Sequence, residues 1–240
     1  MNLPILYEDA DIVAVNKPAG LVTHSDGRTK EETAEHWFKE KYPDGAGYVH
    51  RLDRDTSGVL VFAKNEKAYN FLRKAFHDRE VKKTYLAFVY GIPKEKKGII
   101  DFDIGRSRKD FRLRSAQPKA KGRLRESLTR YEVIGEYDGY ALLKVNPETG
   151  RTHQIRVHLK AINHPIIGDK LYAPNHPPAL LGLRSLGEEG GITRLGLHAS
   201  MIDLPLPAGR QGLPSGLRVS VTAPIPDDLA PAFALFSGAC

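Results

Sequence analysis

Apolar residues fall in two rhythms along this chain: short runs bounded by turn residues, and stripes spaced three and four apart. Ile5 to Tyr7 and Ile12 to Val15 are split by the acidic stretch Glu8 to Asp11, which predicts two short strands and a turn. Val59 to Ala63 and Lys82 to Tyr90 are almost unbroken apolar and aromatic runs, the pattern of strands covered on both faces. Tyr131 to Ile134 and Tyr140 to Val145, joined by Gly135 to Gly139, read as an antiparallel pair. Arg194 to Ile202 and Leu217 to Thr222 read as another. Helices are expected at 30–42 behind Thr29, at 66–79 behind a capping Asn65, and at 152–162 behind a capping Thr152. In the second, Ala68, Phe71, Leu72, Ala75 and Phe76 trace one buried face; in the third, Ile155, Leu159 and Ile162 do. Strands outnumber helices and do not alternate with them regularly. The fold class is therefore α+β with a mixed, mainly antiparallel sheet and flanking helices, not a doubly wound one.

At 240 residues and 41% apolar, the chain can bury one sizeable core or two small ones packed together, and a single catalytic domain over 1–240 is expected. Charge changes the picture more than size does. The net charge is +7, and residues 105–130 hold ten lysines and arginines against Asp110 and Glu126, so the rest of the chain is close to neutral. Gly105, Pro118 and Gly122 mark that stretch as loop or hairpin, a flexible basic arm suited to phosphates. Residues 173–193, rich in Pro and Gly, read as a long connection, and the partial repeat at 204–216 as an inserted loop. The one cysteine, Cys240, excludes an internal disulfide or a cysteine-based zinc site. No basic-then-apolar leader opens the chain and no apolar run approaches ~20 residues, so a cytoplasmic protein is expected. Nucleotide-binding glycine fingerprints and the G-x-S-x-G of serine hydrolases are absent.

Two polar segments concentrate the chemistry. Residues 50–58, His-Arg-Leu-Asp-Arg-Asp-Thr-Ser-Gly, set two arginines, two aspartates and a histidine against a buried strand. A carboxylate there must be exposed or paired, because an unpartnered buried ion costs several kcal/mol. A polar turn built by Asp55, Thr56 and Ser57 is the simpler reading of the same residues. Residues 150–159, Gly-Arg-Thr-His-Gln-Ile-Arg-Val-His-Leu, place Arg156 off the apolar stripe of their helix. His153 and His158 are five apart, not the i, i+4 pair that offers two metal ligands, so no metal is expected.

These segments resemble the RluA branch of the pseudouridine synthases, which isomerise uridine in RNA. HRLDRDTSG at 50–58 is joined in order by NKPAG at 16–20, KKTYLA at 82–87, GRTHQIRVHL at 150–159, IGDKLY at 167–172 and LGLHA at 195–199. The resemblance implies that fold, with a central RNA-binding cleft and no N-terminal S4-type domain. It makes Asp53 the catalytic carboxylate, Tyr85 the residue that stacks on the target base and helps move its proton, and Arg156 the partner of the aspartate. An aspartate beside an arginine is charged at neutral pH. It would then attack the sugar or the base, or stabilise the transition state. Arg51 and Arg54 are expected to hold the loop or the RNA backbone. Lys83, Arg106, Arg108, Lys109, Arg112, Arg114, Arg151 and His153 are the further RNA contacts. Neither a cofactor nor a membrane is implied, and a monomer is expected. Large-subunit ribosomal RNA is the first substrate and transfer RNA the alternative. A non-catalytic RNA-binding or assembly protein would not need Asp53, Tyr85 and Arg156 together, and a nucleoside hydrolase lacks a visible activating set.

Overall fold

A computed structural model describes residues 1–25, 31–108, 110, 113–116, 118–176, 191–207 and 217–238. Its elements are β1 (Ile5–Glu8), β2 (Ile12–Lys17), α1 (Ala34–Lys41), β3 (Gly47–Tyr48), β4 (Ser57–Ala63), α2 (Glu66–His77), β5 (Lys82–Tyr90), β6 (Lys97–Ile100), β7 (Ile104–Ser107), β8 (Arg114–Ala116) and β9 (Ala120–Arg125). β10 (Thr129–Tyr137), β11 (Tyr140–Pro147), α3 (Gln154–Ala161), β12 (Leu197–Pro205), β13 (Arg218–Thr222) and α4 (Ala230–Ser237) follow. The result is the expected α+β fold. Its strand pairs, β1 with β2, β2 with β4, β5 with β11, β10 with β11 and β12 with β13 among them, run antiparallel. Two compact units divide the chain: Met1–Lys83 with Ala199–Pro224, and Thr84–His198 with Ile225–Cys240.

In the first unit β2 and β4 form the middle of the sheet, and every residue of β4 is buried, as its continuous apolar run requires. Ile12, Ala14, Val59 and Val61 pack with Ala68, Leu72 and Ala75 of α2 and with Ile202 and Leu204 of β12. Phe38 of α1 is fully buried and stacks on Phe62 of β4, with ring centroids 4.6 Å apart. The helix begins at Thr33, whose hydroxyl accepts from the His36 amide, and not at Thr29, which lies outside the described residues. A proper N-cap needs extended backbone and a reachable amide, and Thr33 has both.

The second unit shows why β5 and β11 are so continuously apolar. Ala87, Val89, Leu143 and Val145 point to one face, where Ile155 and Leu159 of α3 cover them. Phe88 and Leu142 point to the other, where Leu229, Ala232 and Phe236 cover them. The α4 helix was not foreseen: it lacks a side-chain cap and carries no charged face. β10 and β11 meet at Asp138 and Gly139, both at positive φ, the conformation that a two-residue hairpin turn demands. A second sheet, ordered β8-β7-β9, is built from the basic stretch. Arg106, Arg114, Lys121, Arg123 and Arg125, five of its ten basic residues, sit on those hydrogen-bonded strands, so there the stretch is strand rather than flexible arm. Gly105, read as a loop signal, allows close packing instead, since a Cβ there would meet the Lys121 carbonyl oxygen at 2.7 Å. Most of the long connection (177–190) and of the inserted loop (208–216) lies outside the described residues.

Candidate active site

Asp53 is half-buried in a short turn between two fixed points. Before it, the Thr23 hydroxyl accepts from the Leu52 amide (3.2 Å) and donates to the Leu52 carbonyl (2.9 Å). After it, the Arg54 carbonyl accepts from the Gly20 amide (2.9 Å) and from Lys17 Nζ (3.0 Å). Lys17 is wholly buried, and its ammonium also donates to the carbonyls of Pro18 (2.9 Å) and Leu21 (2.7 Å). Three charge-assisted bonds offset the cost of taking that ammonium out of water. Arg54 adds its own tie, donating from Nε to the Gly20 carbonyl at 3.1 Å. The motif's glycine is equally constrained: Gly58 has φ +115, and a Cβ there would run into the Ala199 backbone. Arg51, Arg54 and Asp55 are exposed.

His50, at the head of the same motif, has a structural role. Its Nε2 accepts from the Val61 amide at 3.1 Å, and its ring stacks on Phe76 at 5.1 Å. Burial, and then the charge of Lys83, push its pKa down to about 3. The ring therefore stays neutral and keeps the acceptor that Val61 needs. Lys83 is itself pushed down to about 8 by burial.

In the second unit, Tyr85 faces Val145 across the β5–β11 pair and packs, partly buried, against the cluster that includes Ile155. At the start of α3 the chain is held by Gln154, whose Oε1 accepts from the Thr149 hydroxyl (2.8 Å) and the Arg151 amide (2.9 Å). Its Nε2 donates to the Leu128 carbonyl and the Thr129 hydroxyl oxygen, both at 3.0 Å. Thr152 is not the cap that its position implies. His153 occupies the cap position in a left-handed conformation (φ 58) without a side-chain cap bond, and the side chain of Gln154 reaches back instead. His158 lies 2.9 Å from both the Thr129 hydroxyl and the Phe102 carbonyl, so both ring nitrogens are engaged, and burial lowers its pKa. Among the described residues, no three His, Cys, Asp or Glu side chains gather as a metal site would need.

Arg156 is buried, and within its unit the carboxylate it grips is Asp169. Nε to Oδ2 and Nη2 to Oδ1 are both 2.8 Å, with the two side chains 5% and 0% exposed. Asp169 Oδ1 also accepts from the amides of Leu171 and Tyr172, each at 3.0 Å. The guanidinium lies 5.1 Å above the Tyr172 ring, and the Tyr172 hydroxyl joins the Arg114 amide (3.0 Å) to His153 Nδ1 (2.9 Å). Arg156, His153 and Arg114, named separately from sequence, are thus gathered around one tyrosine. Asp169 and Tyr172 were missed as functional groups. Both lie in IGDKLY at 167–172, a motif of the resemblance for which no residue role was drawn.

A cleft of about 420 Å³ adjoins this cluster, lined by Arg106, Arg114, Arg123, Arg125 and Arg151. Arg123 and Arg125 were not singled out from sequence, although they alternate along β9 and share a strand face. Arg108 is exposed next to β7, and Lys109 and Arg112 lie outside the described residues.

Comparison with known proteins gives the class. A family model described as RNA pseudouridylate synthase matches residues 11–161, more than half the chain. The ribosomal large subunit pseudouridine synthase D of Neisseria meningitidis is 38% identical over 238 residues, covering 95% of this chain and 60% of that protein. The tRNA pseudouridine synthase C of Haemophilus ducreyi is 36% identical over 220 residues, covering 86% and 87%. Among solved structures, human RNA pseudouridylate synthase domain containing 1 superposes with a TM-score of 0.71 at 29% identity, covering 94% and 84%. The chain belongs to the RNA pseudouridylate synthase family, in its RluA branch, and its class is isomerase. No described helix is long and apolar enough to cross a membrane.

Proposed function

We propose that this enzyme isomerises particular uridines of structured RNA, with large-subunit ribosomal RNA as substrate and Asp53 as the catalytic carboxylate. What carries the reading is the clamp on the Asp53 turn. Residues 52 and 54 are each fixed by two hydrogen bonds from the 17–23 segment, which restricts the backbone on either side of one half-buried carboxylate. Such restraint is what a group needs if it must meet a reacting atom in one geometry. The reaction breaks the bond from the uracil nitrogen to the ribose, turns the base and rejoins it through carbon 5, so it needs a charged group and a base but no redox partner.

In this reading Tyr85 stacks on the target base and helps move its proton. Flipping the uridine out costs a few kcal/mol, and stacking on an aromatic ring returns roughly 1–3 of them. Arg156 is the arginine of the reaction in this reading, held in place by its fork onto Asp169. We read the chain as one catalytic domain, which the family match over 11–161, spanning parts of both units, favours. A monomer working in the cytoplasm without a cofactor completes the proposal. Transfer RNA is the alternative substrate, favoured by the likeness to the Haemophilus ducreyi protein.

The test is pseudouridine mapping at single-nucleotide resolution of ribosomal and transfer RNA from cells with and without the protein, complemented by Asp53→Ala. Sites in large-subunit ribosomal RNA should disappear and stay absent with the variant. Sites lost only from transfer RNA would move the substrate, and restoration by Asp53→Ala would remove the aspartate from the chemistry.

A further inference from the structure

We propose that the five-arginine cleft of the β7–β9 sheet is a built subsite for the phosphodiester backbone of the RNA, with Arg123 and Arg125 as its principal ligands. This rests on the reading that the substrate is RNA, and adds where and how the strand is held. The first argument is register. Arg106 lies directly opposite Arg114 on one side and opposite Lys121 on the other, so three cations stand in a row across β8, β7 and β9. Like charges placed opposite each other in a sheet are destabilising, and an anion between them removes the conflict.

The second argument is composition. No acidic residue lines the cleft, and among the described residues none of its five arginines forms an ion pair with a carboxylate. Elsewhere in the molecule arginines do pair, as Arg130 does with Glu148 and Arg194 with Asp228. Arginine's planar fork matches two phosphate oxygens at once, and about 420 Å³ exceeds the space of one isolated phosphate. More than one link of a strand fits.

The third argument is rigidity. Arg151 donates from Nε to the Glu126 carbonyl at 3.0 Å, which orients its guanidinium. The Arg114 amide is tied to the Tyr172 hydroxyl, and Tyr172 lies under Arg156, so the cleft wall and the α3 turn share one support. Gly122 lines the cleft at φ +73 with nothing within 4 Å of a built Cβ, leaving that side open for a strand to enter. Because arginine forks on phosphates carry no base code, the cleft should grip RNA irrespective of sequence and leave the choice of uridine to other contacts.

The experiment uses the full chain, an unmodified RNA stem-loop with a uridine-containing loop, and the double variant Arg123→Gln/Arg125→Gln. Affinity is measured from low to moderate salt, and pseudouridine formation is measured on ribosomal and transfer RNA at saturating concentration. If each arginine neutralises one phosphate, the slope of log affinity against log salt should fall by about 1.4–1.8, and affinity at low salt by tenfold or more. The melting temperature should not drop, since both side chains are exposed. An unchanged slope and affinity would overturn the cleft while leaving the isomerase reading intact. A lost slope in a protein whose wild type forms no pseudouridine would do the reverse.

Discussion

Lys17 and Arg156 are both cations taken almost wholly out of water, and each has been satisfied in a different way. Lys17, in the first unit, gives its ammonium to three backbone carbonyls. Arg156, in the second, forks onto the carboxylate of Asp169. A compact ammonium with three rotatable donors suits a ring of carbonyls, whereas a planar guanidinium suits two parallel oxygens. The difference has a consequence for what each one fixes. Lys17 organises backbone, because its acceptors are the chain itself at residues 18, 21 and 54, and so it sets the turn that carries Asp53. Arg156 organises side chains: its partner caps the turn at 171–172 and its face lies on Tyr172, which in turn holds Arg114 and His153.

Removing one charge from the carboxylate pair should be the most damaging way to break this contrast. Asp169→Asn keeps an acceptor for the Leu171 and Tyr172 amides but removes the carboxylate charge onto which Arg156 forks. A loss of about 3–5 kcal/mol is expected, because breaking a buried pair strands a charge. Chemical denaturation checks the size. In a double-mutant cycle, adding Arg156→Leu should recover part of the loss; strictly additive losses would mean that the two side chains stabilise independently. Lys17→Met should cost less, about 1–3 kcal/mol, because it removes a buried charge together with its bonds and leaves only neutral carbonyls in need. Its larger effect should be on turnover, since the Arg54 carbonyl loses one of its two anchors beside Asp53. Equal fractional losses of stability and kcat would show that Lys17 does no more than support the fold.

The parts of this arrangement that were legible in the sequence are those fixed by local pattern. The α2 stripe predicts its own burial, and Ala68, Leu72 and Ala75 are indeed buried. β5 read as a covered strand and β11 as half of an antiparallel pair, and α3 and α4 cover both from opposite faces. The start of α3 misled because its cap is tertiary: Gln154 reaches residues 128, 129, 149 and 151, and no local rule for Thr152 contains those partners. Asp169 was invisible as a partner for the same reason, standing thirteen residues from Arg156 across a turn. The basic stretch misled differently. Its glycines are loop signals in isolation, but Gly105 packs against a neighbouring strand and Gly122 opens a cleft, functions that appear only once β7 and β9 are paired. The motifs by themselves pointed to the family, and its class stands on the comparisons.

His50 sharpens the comparison at the small end, because it is a partly buried ring kept neutral, in contrast to two buried cations kept charged. In the unfolded chain it takes a proton near pH 6.5; in the fold it resists protonation until about pH 3. Between those values the unfolded state binds more protons, so His50's contribution is fully present above about pH 6.5 and is lost as pH falls, by up to about 1.4 kcal/mol per pH unit. His50→Gln retains an acceptor for the Val61 amide and cannot titrate. The variant should match the wild type closely at pH 7.5 and be relatively more stable at pH 5.5, read as a smaller shift of the urea midpoint between the two. If both proteins lose stability in parallel over that interval, the acid sensitivity belongs to other groups, and His50 would have to be protonated in the fold without giving up its bond to Val61, which its Nε2 cannot do.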